Sequence, residues 1–311
     1  MKRTRPILIL SILSFVFFAC ERPAEINLGI FTPELVVLAN FSELDTLEVI
    51  VSKSQPILTE GPVEYVSDAT VELFIDGFFA DRFQFVPSPV PQLPAYYLST
   101  DIVPQSGLDY RLRVEAPGFE SVEGTCTLPF PVEVDTANLF LFIEIEELDA
   151  FNSQANITVN LKVQDEKNIP NYYHLNFYQK GFDFSVNGMG DTIKTSFFSL
   201  PLVTTSEDNT VPLIPYIEDR GVLFTDNALE NNQGGLIFSS TFQYRPGDQL
   251  LGDFLIELRT TSPEYYHYHR SLAQQFQAGL DPFSEPVILY SNIEDGQGVF
   301  AGFVTRFYSI E

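Results

Sequence analysis

Two cysteines, three histidines and 17 basic residues against 42 acidic ones leave this chain short of the side chains that most catalysis and most nucleic-acid binding require. Cys20 and Cys126 are too few for a disulfide framework, so the fold rests on its core. The formal net charge of −25 excludes phosphate backbones as partners and disfavours adsorption to anionic membrane surfaces, while serving solubility. No P-loop, Rossmann fingerprint, His-Glu-x-x-His or Gly-x-Ser-x-Gly motif is present, and no fixed-period repeat. No apolar run reaches the ~20 residues that a membrane-spanning helix needs. Helical periodicity is scarce before residue 262.

The N-terminus reads as a targeting segment. Lys2, Arg3 and Arg5 precede an apolar run over residues 7–19, the length of a signal core. The run ends Phe17-Phe18-Ala19-Cys20, a small residue directly before cysteine, which resembles a lipobox. Residues 1–19 are therefore expected to be a lipoprotein signal peptide, Cys20 the lipidated residue, and residues 20–32 a polar tether. Multiple acyl chains on Cys20 give stable anchoring, each buried methylene contributing about 0.8 kcal/mol. Cleavage removes three bases and makes the chain more acidic still, and Cys126 is left without an intramolecular partner.

The rest predicts a mainly β protein of two domains. Residues 33–128 hold about seven short alternating strands, the pattern of an immunoglobulin-like β-sandwich. Tyr110, Leu112 and Val114 alternate with Arg111, Arg113 and Glu115, giving one buried and one wet face. Asp76-Gly77 signals a hairpin turn. Pro129 and Pro131 mark a boundary, because two prolines so close stop strand pairing. Residues 129–311 then form a larger β-rich domain, sandwich or barrel, with one helix over residues 262–278. Ile157, Val159, Leu161 and Val163 alternate there with Thr158, Asn160 and Lys162.

The terminal segment is the most specific part of the chain. Ser262 suits an N-cap, Pro263 the first helical position and Glu264 the positive dipole end. Tyr265, Tyr268, Leu272 and Phe276 form an apolar stripe expected to be buried on a sheet. Beyond it, strands over 287–290 and 299–308 flank a Gly-containing turn, predicting a closing hairpin. The order helix, Asp281-Pro282-Phe283-Ser284-Glu285-Pro286, Ser291-Asn292-Ile293, Gly296, Gly298, Phe300 and final strand resembles the domain-of-unknown-function family 4249 of Gram-negative outer-membrane lipoproteins. Leu223-Phe224-Thr225-Asp226 resembles it as well, whereas 231–235 is a longer turn than related chains tend to have. The stretch from Tyr110 to Phe119 is similar to carboxypeptidase-regulatory-like sandwiches. The family resemblance implies an outer-membrane location, often beside TonB-dependent receptors, and no established activity.

Candidate chemistry is sparse. Glu144, Glu146 and Glu147 are the densest carboxylates, but Glu144 and Glu146 share the face opposite Ile143 and Ile145, which is what a solvated strand face looks like. His267 and His269 lie about 200° apart on a helix and cannot meet one metal, while His174 shares a strand face with Tyr172, Asn176 and Tyr178. Asp226 with Glu230, and Glu294 with Asp295, lack the spacing of a calcium loop. The reading is therefore a non-enzymatic binding or accessory lipoprotein of the outer membrane beside a TonB-dependent uptake system. It assigns no catalytic residue, no metal and no cofactor, and names no small-molecule or glycan ligand. A structural or adhesive surface protein, or a hydrolase with a dispersed carboxylate site, are its alternatives. The segment 291–300 is expected to be structural, the competing role being a partner-docking loop.

Overall fold

Alternation along one strand organises the molecule. The computed structural model describes residues 31–311 apart from 57–60, 91–92, 165–168, 207–211, 231–234, 282–283 and 286, and apart from the Glu230 side chain. The final strand, Gln297–Ile310, lies in the middle of a ten-stranded sheet. It pairs antiparallel with Gln249–Thr261 on one side and parallel with Leu35–Ser42 on the other. Its side chains alternate between faces. On one face Phe300 and Val304 enter a first core and Tyr308 and Ile310 border a second; on the other, Val299, Ala301 and Phe303 meet the helix.

The first core is immunoglobulin-like in construction. Leu35–Ser42, Leu47–Lys53, Tyr96–Ser99 and Gln84–Val86 continue the large sheet, and a second sheet of Ile293–Glu294, Val122–Thr127, Asp109–Glu115, Thr70–Ile75 and Phe78–Arg82 packs on it. Asp76 (φ 50°) and Gly77 (φ 80°) make the expected tight turn between the last two of those strands. Tyr110 packs its ring against Phe41, and its hydroxyl accepts from Gln105 N at 2.6 Å, pinning the chain upstream as tyrosine corners do.

The second core lies between the other half of the large sheet and a four-stranded sheet. Tyr172–Val186, Gln249–Thr261 and Val222–Thr225 contribute Tyr173, Leu175, Phe177, Ile256, Leu258 and Phe224 from one side. Ser153–Leu161 and Leu236–Tyr244 contribute Ala155, Ile157, Val159 and Phe238 from the other. The second half is thus two sheets packed face to face. The chain passes from one core to the other at residues 128–134, where Leu128 belongs to the first and Val134 to the second. The large sheet runs unbroken across that passage, and Ile293, Phe300 and Val304 complete the first core from the far end of the chain.

The helix Pro263–Gly279 begins as its sequence dictates. Ser262 is the N-cap, its hydroxyl accepting from Tyr265 N, with Pro263 in the first turn. It covers the outer face of the large sheet through Tyr265, Tyr266 and His269. Two expectations are corrected. Phe276 is 56% exposed, because the last helical turn runs past the sheet and finds nothing to pack on. Residues 287–290 form no strand; Tyr290 N instead donates to Ser271 Oγ at 2.9 Å. The closing hairpin is likewise a step between sheets. Ile293–Glu294 pairs with Val122–Thr127 in the five-stranded sheet, while Gln297–Ile310 lies in the large one. Asn292 ties the two together: its side chain accepts from Phe300 N and donates to Phe300 O and Thr125 O. The signal segment, Cys20, the tether as far as residue 30 and the loop 231–234 lie outside the described residues.

Candidate functional site

On the outer face of the large sheet, strand alternation brings the chain's rarest side chains together. His174 and Asn176 project there from Tyr172–Val186, and Glu257 and Arg259 project from Gln249–Thr261, paired as His174 with Arg259 and Asn176 with Glu257. The helix lowers Tyr265 and His269 onto them, and the segment before Val222–Thr225 adds Tyr216 and Asp219. Gly221 is what allows the approach: a Cβ there would collide with Asn176 Oδ1 and His174 Nε2.

Most polar groups in the cluster are hydrogen-bonded to one another, His174 Nε2 being the exception among the described residues. Arg259 holds Glu257 at 2.6 Å and donates to His174 Nδ1 at 3.2 Å, so that nitrogen carries the lone pair and also receives the Tyr265 hydroxyl at 2.9 Å. His174 Nε2 points at Asp219 Oδ1, 3.5 Å away. Glu257 further accepts from Tyr178 at 2.8 Å and Asn176 at 3.3 Å, and Asp219 from Gly221 N at 2.7 Å. Tyr216 stacks on His174 with centroids 4.2 Å apart and donates to Glu218 at 2.7 Å. His269 lies 4.4 Å from the Tyr265 ring, and Asn40 donates to its Nε2 at 3.2 Å.

Burial sets the protonation states. Desolvation lowers His174 and pushes His269 down to about 3, so both rings are neutral near pH 7. It raises Tyr265 to about 12 and raises Tyr178 and Tyr216 as well. Burial pushes the Asp219 carboxyl up, but hydrogen bonding to His174, the Gly221 amide and the Arg259 charge together hold it below the usual range. The cluster is thus an internal network of neutral imidazoles and tyrosines around one tightly held ion pair. His174, Tyr265 and His269 are buried between helix and sheet, whereas the Asp219 and Arg259 side chains are partly exposed, 26% and 19%. The network's chemistry is to hold the helix in one position, and removing one partner would leave a buried charge or dipole unmatched.

The remaining sequence candidates stay apart. His267 is half-buried between the rings of Tyr172 and Tyr290, on a different side of the helix from His269. Glu144, Glu146 and Glu147 are exposed on Phe140–Glu147, with Glu144 and Glu146 opposite Asn156 and Gln154. Asp226 caps Asn227 N, and Glu294 pairs through its backbone with Glu123. Among the described residues no three His, Cys, Asp or Glu side chains gather as a metal would require. Cys126 is buried and its thiol pushed up to about 12, which keeps it inert. Sequence reading missed Glu257, Arg259, Tyr216 and Asp219. A signal existed for two of them, since Glu257 and Arg259 are charges set alternately with the apolar Ile256 and Leu258.

Where the chain passes between the cores, an open cleft of about 560 Å³ is lined by Phe130, Pro131, Val132, Pro170, Tyr172 and Pro263. Thr261, 2% exposed, borders it with a hydroxyl that has no partner among the described residues. Glu133 at its rim is already held by Arg306 and Tyr308. The volume falls in the range of small-molecule sites, and the lining favours an apolar occupant.

Comparison with known proteins adds a family and little else. The profile of the family described as "Domain of unknown function (DUF4249)" matches residues 21–307. No curated protein matches the chain. Among solved structures, a chain titled "Biofilm associated protein - B domain" aligns over 84% of this chain and 81% of its own length, at 8% identity and a TM-score of 0.16, too low to carry an argument.

Proposed function

The chain belongs to the DUF4249 family, and from that premise we propose that it is a lipid-anchored lipoprotein of the outer membrane, a non-enzymatic binding or accessory component that works beside a TonB-dependent uptake system. The observation that carries the binding reading is the open cleft of about 560 Å³ beside Phe130 and Tyr172, while His174 and His269 are engaged between helix and sheet with Tyr265 and Asn40. That cleft is lined mainly by apolar side chains and is suited to holding an apolar ligand. The anchor rests on the apolar run that stops at Ala19, directly before Cys20.

Fractionation of cells expressing Cys20→Ala tests the anchor. The variant is expected to leave the membrane fraction and appear as soluble protein, with labelled fatty acid no longer incorporated. Retention of the variant on the membrane, or undiminished labelling, would sink the proposal.

A further inference from the structure

The strand Phe140–Glu147 is the outermost of the four-stranded sheet, and among the described residues it pairs only with Ser153–Leu161. Edge strands of soluble proteins are usually short, bulged, broken by proline or guarded by charged side chains, lysine above all, because unpaired N–H and C=O groups template further pairing. This one is eight residues long, pairs in unbroken register and contains no proline or lysine. Its first four residues are apolar on both faces, and its only charges are the three glutamates that follow. On the outer face Phe140 and Phe142 are 59% and 53% exposed; on the face that continues the second core, Ile143 and Ile145 are 38% and 48% exposed. Those two isoleucines share the face of the buried Ile157 and Ala155, so the core overhangs its own edge by one strand's width.

Charge says what completes that edge. Glu144, Glu146 and Glu147 follow the aromatic pair, all exposed, and none has a basic partner among the described residues. A second copy of this chain would add three more exposed acids and no base to the same edge. The chain's net charge of −25 opposes self-association further. An incoming strand with lysine or arginine opposite Glu144 and Glu146, and apolar residues opposite Phe140 and Phe142, meets both halves.

We propose that Phe140–Glu147 is a docking edge that takes up an extended basic and apolar segment of a partner protein as a fifth strand of this sheet. Main-chain hydrogen bonds supply the pairing, and alternate side chains supply the selection. The incoming apolar face covers Ile143 and Ile145, while its other face sets bases against the glutamates. The inference stands whether or not Cys20 carries lipid, and its failure would leave the anchor untouched.

The test uses a fluorescently labelled peptide, Lys-Val-Lys-Val-Tyr-Val-Tyr, and a twin with glutamate in place of lysine, each titrated with the full chain at low salt and followed by anisotropy. The lysine peptide is expected to bind saturably, and the glutamate twin at least tenfold more weakly. The double variant Glu144→Lys with Glu146→Lys changes only exposed side chains; it is expected to keep its melting temperature and to reverse the preference between the peptides. Ile143→Pro, which removes an edge N–H, is expected to lose both. Absence of saturable binding by the unaltered chain, or a double variant that still prefers lysine, overturns the proposal. So does a dimer in sedimentation that Phe142→Lys dissolves, since that would make a second copy the occupant.

Discussion

At the residue scale the account rests on close approach and on protonation. Gly298 has φ of 116°, and a Cβ there would run into the Val37 carbonyl oxygen, because the final strand pairs at that point with Leu35–Ser42. Gly298→Val is therefore expected to lose about 1–3 kcal/mol from backbone strain, with the clash on top, whereas Gly188→Ala has open space and serves as the control. Urea unfolding of the two variants checks this, and equal midpoints would remove the argument. The buried histidines make a second claim. Above their ordinary value of 6.5, His174 and His269 are neutral folded or unfolded and contribute no pH dependence. As pH falls below 6.5 the unfolded chain takes up protons that the folded chain refuses, down to about 3 for His269. Asp219, held low, acts in the same direction: its contribution is present above the unfolded carboxylate value and is lost as pH falls. Stability measured by urea at pH 7.5, 6 and 5 is expected to decline stepwise, and less steeply in His269→Gln. A flat profile would mean that the rings are not held neutral.

At the scale of elements, much of the molecule was legible. Apolar and polar residues alternate cleanly in Asp109–Glu115 and Ser153–Leu161, and both are strands with the expected faces inward. Ser262, Pro263 and Glu264 mark the helix start to the residue. How far that helix stays in contact with the sheet was less readable, because a periodic stripe says which side is apolar and not how far the sheet beneath extends. Phe276 shows the difference: it continues the stripe of Tyr265 yet hangs past the sheet. Phe300, by contrast, is fully buried and stacked on Phe41 at 5.0 Å. Phe300→Ala is expected to cost about 3–5 kcal/mol, as buried aromatic truncations do, and Phe276→Ala to stay within about 0.5 kcal/mol. Comparable losses from the two in chemical denaturation would contradict the placement of the last helical turn. The polar network under the helix was the least legible element. It assembles from separate segments of the chain, and no local pattern announces that Tyr216 will stack on His174 while Tyr265 bonds to it from the helix.

At the scale of the whole molecule, the feature that no local signal could reveal is the parallel pairing of Leu35–Ser42 with Gln297–Ile310. It closes the chain on itself and places Ile293, Phe300 and Val304 in the first core. A nick between Pro129 and Pro131 is therefore expected to leave the two pieces associated and melting in one transition, and a chain ending at Leu128 not to fold alone. Separation of the nicked halves by gel filtration without denaturant would count against the shared sheet. The functional reading turns on what the open surfaces hold, the acidic edge strand and the apolar cleft among them. The measurement that bears most directly on it is recovery of the lipoprotein from its native envelope by mild detergent extraction and affinity capture. Stoichiometric co-purification of a TonB-dependent receptor barrel, lost when the chain is released by Cys20→Ala, is the predicted result. Recovery of the intact, membrane-anchored chain alone, with the receptor in a separate fraction, would contradict it.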